Sequence, residues 1–222
     1  MRTVILTAYL VICLALVSGT ALADEKTWKL VSDRRGVQLY KDMTRGVKHR
    51  MFKAVTVIDA PIETIMDVLL DAGRYPEWMP GCMLSRVLSE KNGDRDIRTH
   101  PLHLALNIPW PMRNRDFVTE TKTFSNWDTG TFFVEFNTVD RPDIPSPRGS
   151  FRMIRLYGKF EGEAISRYQT RMTYHLVFNP GGRVGSIMSN RFTGRIARNT
   201  MTGLARVSEK PEYKKAAEQN RY

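Results

Sequence analysis

One amphipathic stretch near the end of the chain limits what the rest can fold into. Between residues 181 and 210, at about 100° per residue, Arg191, Arg195, Arg198, Arg206 and Glu209 fall on one face. Phe192, Ile196, Ala197, Thr200, Met201, Leu204 and Val207 fall on the other. The stretch is bounded, because Asn-Pro-Gly-Gly at 179–182 ends any preceding strand and Pro211 cannot continue a helix. These bounds allow roughly 25 to 28 residues, about 40 Å of helix, enough to cross a whole sheet. A helix with one apolar side of that length needs a sheet to lie on. Its first turns depart from the pattern: Val184, Ile187 and Met188 lie on the angular side of the later arginines. They either project outward or form a lid with a neighbouring loop.

Upstream, the period changes to two. Residues 28–31 and 37–40 read as a hairpin turned at 33–36, and 52–59 as a strand. Pro61 then opens a short amphipathic helix with apolar residues at 62, 65, 66, 69 and 70. An aromatic, proline-bounded loop follows at 74–81, and from there to Pro180 strand succeeds strand. In 131–138, Phe132, Val134 and Phe136 share a face, and in 168–178 so do Met172, Tyr174, Leu176 and Phe178. The opposite parity carries Glu135, Asn137, Gln169, Arg171 and Thr173. A sheet with one wet face buries the other against helices. The expected class is α+β: a curved antiparallel sheet of seven to nine strands wrapped around the long C-terminal helix.

Residues 1–23 read as a cleaved signal peptide, with Arg2, an apolar run at 4–17 and a small-x-small end at Ala21 and Ala23. The run is short for a spanning helix, and an uncleaved anchor is the alternative. No cysteine stands at a lipobox position, so a soluble periplasmic or secreted protein is expected, with one domain at 24–210 and a polar tail at 211–222. Cys82 is then the only cysteine, which excludes an intramolecular disulfide and leaves stability to the core. The whole chain carries 34 Lys and Arg against 23 Asp and Glu; without Arg2 the balance is 33 to 23, or +10. Such a charge draws a protein toward anionic surfaces, although it also serves solubility alone. Membrane headgroups, nucleic acid and acidic polysaccharide all qualify; export argues against nucleic acid, and an anionic membrane surface is the expected partner. A monomer is expected.

Four segments in order carry a resemblance: WKLVSDRRGVQLY at 28–40, FKAVTVIDAPIETIMDVLLDAGRYPEW at 52–78, PWPMRNRDFV at 109–118 and NPGGRVGSIMSN at 179–190. Together they resemble the START (StAR-related lipid-transfer) domain of the Bet v 1-like helix-grip superfamily, which includes polyketide cyclases. The resemblance implies a helix-grip fold whose sheet and C-terminal helix enclose a hydrophobic tunnel closed by loops, with a lipid or other hydrophobic small molecule as ligand.

Within that frame Phe132, Phe136, Met172, Tyr174, Phe192 and Met201 are the expected tunnel lining. His100 shares strand parity with Leu102, Leu104 and Leu106, so its imidazole either meets a ligand or is a hydrogen-bonded core group. Trp78 either packs or touches ligand. Arg115 and Asp116 either contact a ligand head or hold their loop to the sheet. The loop carrying Trp110, Met112 and Arg113 is the expected gate, together with Val184, Ile187 and Met188: stiff at its prolines, apolar at its tips and positively charged. The histidines form no HxxxH or HExxH spacing, and no GxSxG or Walker loop is present. No metal, cofactor or catalytic residue is therefore expected. A non-catalytic lipid carrier or sensor is the leading reading, and a cyclase or aromatase acting on a hydrophobic substrate the rival.

Overall fold

The computed structural model of the chain describes residues 27–88, 97–108, 113–153, 155–181 and 184–213. Residues 1–23, read above as a signal peptide, and Trp110, Met112 and Arg183 lie outside them.

The chain opens with the expected hairpin, β1 (Trp28–Arg34) and β2 (Val37–Asp42), followed by β3 (Phe52–Ile58). Helix α1 (Ile62–Leu70) starts after Pro61, which takes the cap position one place before the helix. It buries Ile62, Ile65, Met66, Val68 and Leu69. The segment expected as a loop instead forms a 3-10 turn (Ala72–Arg74) and one helical turn, α2 (Tyr75–Trp78), with Pro76 where a missing N–H is harmless. The remaining strands are β4 (Cys82–Val87), β5 (Ile97–Leu106), β6 (Asn114–Asn126), β7 (Thr131–Thr138), β8 (Ser150–Arg152), β9 (Arg155–Ser166) and β10 (Gln169–Asn179). The long helix α3 (Ser186–Ser208) closes the domain.

Nine strands run in the order β1-β2-β3-β10-β9-β7-β6-β5-β4, every neighbour antiparallel, and β8 pairs parallel with β6 off that path. The first three strands join the last one, so the sheet curls round α3, and α1 and α2 pack against α3 in the same core. Alternation does the rest: Phe52, Ala54 and Ile58 of β3 are buried with Met172, Tyr174, Leu176 and Phe178 of β10.

Helix α3 has 23 residues, fewer than its sequence bounds allow, because Gly185 is extended and Val184 precedes the helix. Ala197, Met201, Leu204 and Val207 are fully buried while Arg191, Arg195 and Arg206 face water, as the period requires. Two glycines let it lie close to its neighbours. A β-carbon at Gly194 would press on Phe52 and Leu39, and one at Gly203 would clash with the carbonyl of Trp78. The domain extends beyond residue 210: Tyr213 is buried, donates to Asp71 Oδ2 at 3.2 Å and lies under the Arg74 guanidinium. Among the described residues no helix is long and apolar enough to cross a membrane.

Candidate functional site

Sheet and helix do not touch everywhere. Between them is a cavity whose walls come from β5, β6, β7, β9 and β10, with Tyr75 on one side and Ile196 and Thr200 of α3 as its roof. Its empty space, counted together with open solvent at the mouth, is about 770 Å³. The centre of a water molecule reaches only about 60 Å³ of it, so the void is narrow rather than roomy. Among the described residues its wall is apolar apart from Arg115, three threonines and the phenols of Tyr75 and Tyr174.

Aromatic rings shape the middle. Phe160 and Tyr174 stack at 4.0 Å with planes 4° apart, and Phe136 tilts against both. Tyr75 donates its hydroxyl to the Leu69 carbonyl at 2.5 Å. Burial pushes the pKa of both phenols upward, so each stays neutral.

Arg115 stands at one end of the cavity. Its side chain is 5% exposed, Nε donates to Pro180 O at 3.0 Å and Nη1 to Arg113 O at 2.7 Å. The guanidinium lies over the Phe151 ring, 5.1 Å from its centroid. Among the described residues no carboxylate pairs with it. Burial lowers its pKa and the charge of Arg113 adds to the effect, yet an arginine keeps its proton.

The expected site residues divide. Leu102, Arg115, Phe136 and Tyr174 are on the cavity wall. Phe132, Met172 and Met201 are buried in the surrounding core and do not reach it. Phe192 is half-buried and meets Phe178 edge-on at 6.0 Å. Trp78 is buried against Tyr75, 5.2 Å between centroids, and it is Tyr75 that faces the cavity. His100 pairs with Thr121 and so shares the concave face, but it stands off the cavity wall. Of the gate, Arg113 is exposed, Val184 half-buried, and Ile187 and Met188 are 85% and 45% exposed on the first turn of α3.

Asp116 requires a correction. Next to Arg115 on a strand, it points to the opposite, convex face. There its Oδ2 accepts from His103 Nε2 at 3.0 Å and from Arg152 Nε at 2.9 Å. Arg152 also donates to the carbonyls of Arg141 and Ile144, so the 139–149 loop folds back and seals this cluster. Burial raises the carboxyl's pKa, but hydrogen bonds from Arg152, His103 and Ser146 outweigh it and hold it below the ordinary value. The histidine that the fold buries and pairs is thus His103, which the sequence did not single out. Cys82 donates to Leu84 O at 3.4 Å, and burial pushes its thiol up to about 11. No group of three His, Cys, Asp or Glu among the described residues could hold a metal ion.

Sequence reasoning passed over Thr119 and Thr121, which share the concave face of β6 with Arg115 and Phe117. Strand parity would have found them. It also passed over Tyr75 and Phe160, whose place on the wall follows from tertiary packing.

A curved antiparallel sheet gripping a C-terminal helix around an apolar cavity is the helix-grip architecture of START-type proteins. Residues 58–205 match the family described as polyketide cyclase / dehydrase and lipid transport, and the chain belongs to it. An uncharacterized protein of Pseudomonas aeruginosa is 29% identical over 194 residues, covering 87% of this chain and 92% of its own. The crystal structure of a STAR-related lipid transfer protein fragment from Xanthomonas axonopodis aligns with a TM-score of 0.69 at 25% identity, covering 82% of this chain and 99% of that one. Human STARD10 aligns with a TM-score of 0.73 at 18% identity, over 87% of this chain and 78% of its own, a likeness of fold.

Proposed function

We propose that this protein binds a lipid or other hydrophobic ligand in the cavity and carries or senses it without chemical turnover, in the bacterial envelope. The observation that carries the reading is a narrow apolar void closed by sheet and helix, with one buried guanidinium at its end. Each methylene moved from water into such a wall gains about 0.8 kcal/mol, enough to make a long chain prefer the cavity strongly. Among the described residues the wall contributes no carboxylate, imidazole or thiol, and its two phenols are held neutral by burial. A cyclase needs groups that exchange protons near neutrality, so the composition of the wall favours a carrier. The family and the lipid-transfer protein from Xanthomonas support the same direction.

Export rests on the reading of residues 1–23, and loading at an anionic membrane on the surface of α3. An open groove beside the cavity shares Leu156 and Phe178 with it and is edged by His49, Arg155 and Asn179. His49 Nδ1 lies 3.3 Å from Ser189 Oγ, which ties the groove to the first turn of α3. That turn exposes Ile187 and Met188 beside Arg191 and Arg195. Apolar tips among arginines suit an interface with anionic lipid, each basic residue near the surface adding about 1 kcal/mol. The decisive experiment is native mass spectrometry of protein purified from its own envelope, with titration of the delipidated form by fluorescent lipids. One lipid per chain is expected. Binding of no lipid class, or saturation well above one per chain, would refute the reading.

A further inference from the structure

The fold leaves the threonine hydroxyls of the cavity without work. Thr119, Thr121 and Thr200 are 1%, 2% and 1% exposed, stand on the cavity wall, and their Oγ1 atoms have no hydrogen-bond partner among the described residues. A buried hydroxyl without a partner is destabilising. Helix α3 shows the usual remedy: Thr193, Thr202 and Ser208 donate to the carbonyls of Ser189, Arg198 and Leu204, four residues back, at 2.8, 3.1 and 2.9 Å. Thr200 makes no such bond. Valine would fill each of the three places with the same shape and no stranded oxygen, and on β6 it is a good strand residue.

The same strand ends at a second incompletely satisfied group. Arg115 gives Nε to Pro180 O and Nη1 to the carbonyls of Arg113 and Asn114, neutral acceptors only. Among the described residues no carboxylate balances its charge and none accepts from Nη2. One such nitrogen suits a single carboxylate oxygen better than a phosphate, which recruits several donors. Thr119 and Thr121 lie four and six residues further along β6, about 14 and 20 Å at about 3.4 Å per residue. An extended hydrocarbon advances roughly 1.25 Å per bond, given C–C bonds of about 1.5 Å. That separation corresponds to about the eleventh to sixteenth carbon from a carboxylate.

We infer that the ligand is a long-chain acid carrying a hydroxyl or carbonyl oxygen part-way along its chain, its carboxylate on Arg115 and its inner oxygen among Thr119, Thr121 and Thr200. This rests on the reading of the cavity as a lipid site. It separates the preferred ligand from plain fatty acids, which leave the threonines unpaired, and from neutral lipids, which leave the arginine unpaired.

The test is displacement of a fluorescent fatty acid from the delipidated protein by 12-hydroxyoctadecanoate, octadecanoate and methyl 12-hydroxyoctadecanoate. The hydroxy acid is expected to bind about ten-fold tighter than either of the others, the value of one hydrogen bond gained. In the variant combining Thr119→Val, Thr121→Val and Thr200→Val, the advantage over octadecanoate should vanish while the melting temperature holds or rises, because no partner is lost. Equal affinity for the hydroxy and plain acids, or a preference that survives the triple substitution, would overturn the proposal. So would a methyl ester that binds as tightly as the acid. If the variant fails to fold, the three compounds on the parent protein still decide. Displacement by neutral phospholipid or sterol but by none of the three overturns the ligand class and leaves the lipid-binding reading standing. Displacement by no lipid at all overturns both.

Discussion

The ring of Phe136 lies over Gly158, its partner across the β7–β9 ladder, so closely that a β-carbon on that glycine would fall within 3.0 Å of three ring atoms. Phe132 and Gly162 repeat the arrangement four residues along. Glycine on the concave side of β9 gives each flat ring a floor. Because Phe136 belongs to the cavity wall and Phe132 to the core, the first pair sets the width of the void and the second seals its surroundings.

Gly158→Ala should therefore push Phe136 off its seat. The expected loss is about 1–3 kcal/mol of stability, as for other overpacked interiors, together with weaker lipid binding per folded molecule. Gly73→Ala, whose added methyl would meet only Asp71 Oδ1 at 3.8 Å, is the control and should stay within about 0.5 kcal/mol of the parent. Urea unfolding of the two variants measures the difference, and equal stabilities would show that the ring contact is unimportant.

Gly203→Ala tests the contact of α3 with α2. The added methyl meets the backbone carbonyl of Trp78, which cannot rotate away as a side chain can. A destabilisation of about 1–3 kcal/mol or more is expected, with α3 displaced from Trp78. A melting temperature equal to the parent's would mean that the helix has room to shift freely.

Asp116 makes stability pH-dependent in a definite direction. Its folded pKa lies below the unfolded value of about 3.9. The unfolded chain thus takes up the proton first as pH falls. The contribution of Asp116 is complete near neutrality and is lost progressively below about pH 4, through the folded pKa. Asp116→Asn should be less stable at pH 7 and show a shallower fall between pH 5 and pH 3. Thermal melts across that range compare the slopes, and parallel curves would remove Asp116 from the acid transition.

Ile187→Ser and Met188→Asp address membrane docking. Both side chains are exposed, so the fold should be unaffected. Transfer of lipid between anionic liposomes should slow several-fold, and the parent's rate should fall with salt as screening shortens to about 3 Å at 1 M. Equilibrium binding in detergent should be unchanged. Variants that transfer at the parent's rate would show that the first turn of α3 does not dock.

Much of the architecture was legible in the sequence because side-chain direction repeats locally. The period of 3.6 in α3 put Met201, Leu204 and Val207 inside and Arg191, Arg195 and Arg206 outside, and the structure agrees. The period of two assigned Phe132, Phe136, Met172 and Tyr174 to one face of the sheet, and all four lie there. Parity also had unused content. Arg115 and Asp116 are adjacent on a strand, so only one of them can face the cavity, and the threonines at 119 and 121 share the face of Arg115.

Which residues of a buried face line a void was decided by the tertiary structure alone. Phe132 and Phe136 have the same parity and chemistry, yet only Phe136 reaches the wall. His100 has the parity of Leu102, yet stands off the wall, while His103 on the other face is sealed by Arg152 and the loop it holds. The sequence determines which way a side chain points because that depends on its own backbone. A cavity is the place where two curved surfaces fail to meet, and this depends on the twist of the sheet, the glycine seats under its rings and the angle at which α3 crosses it.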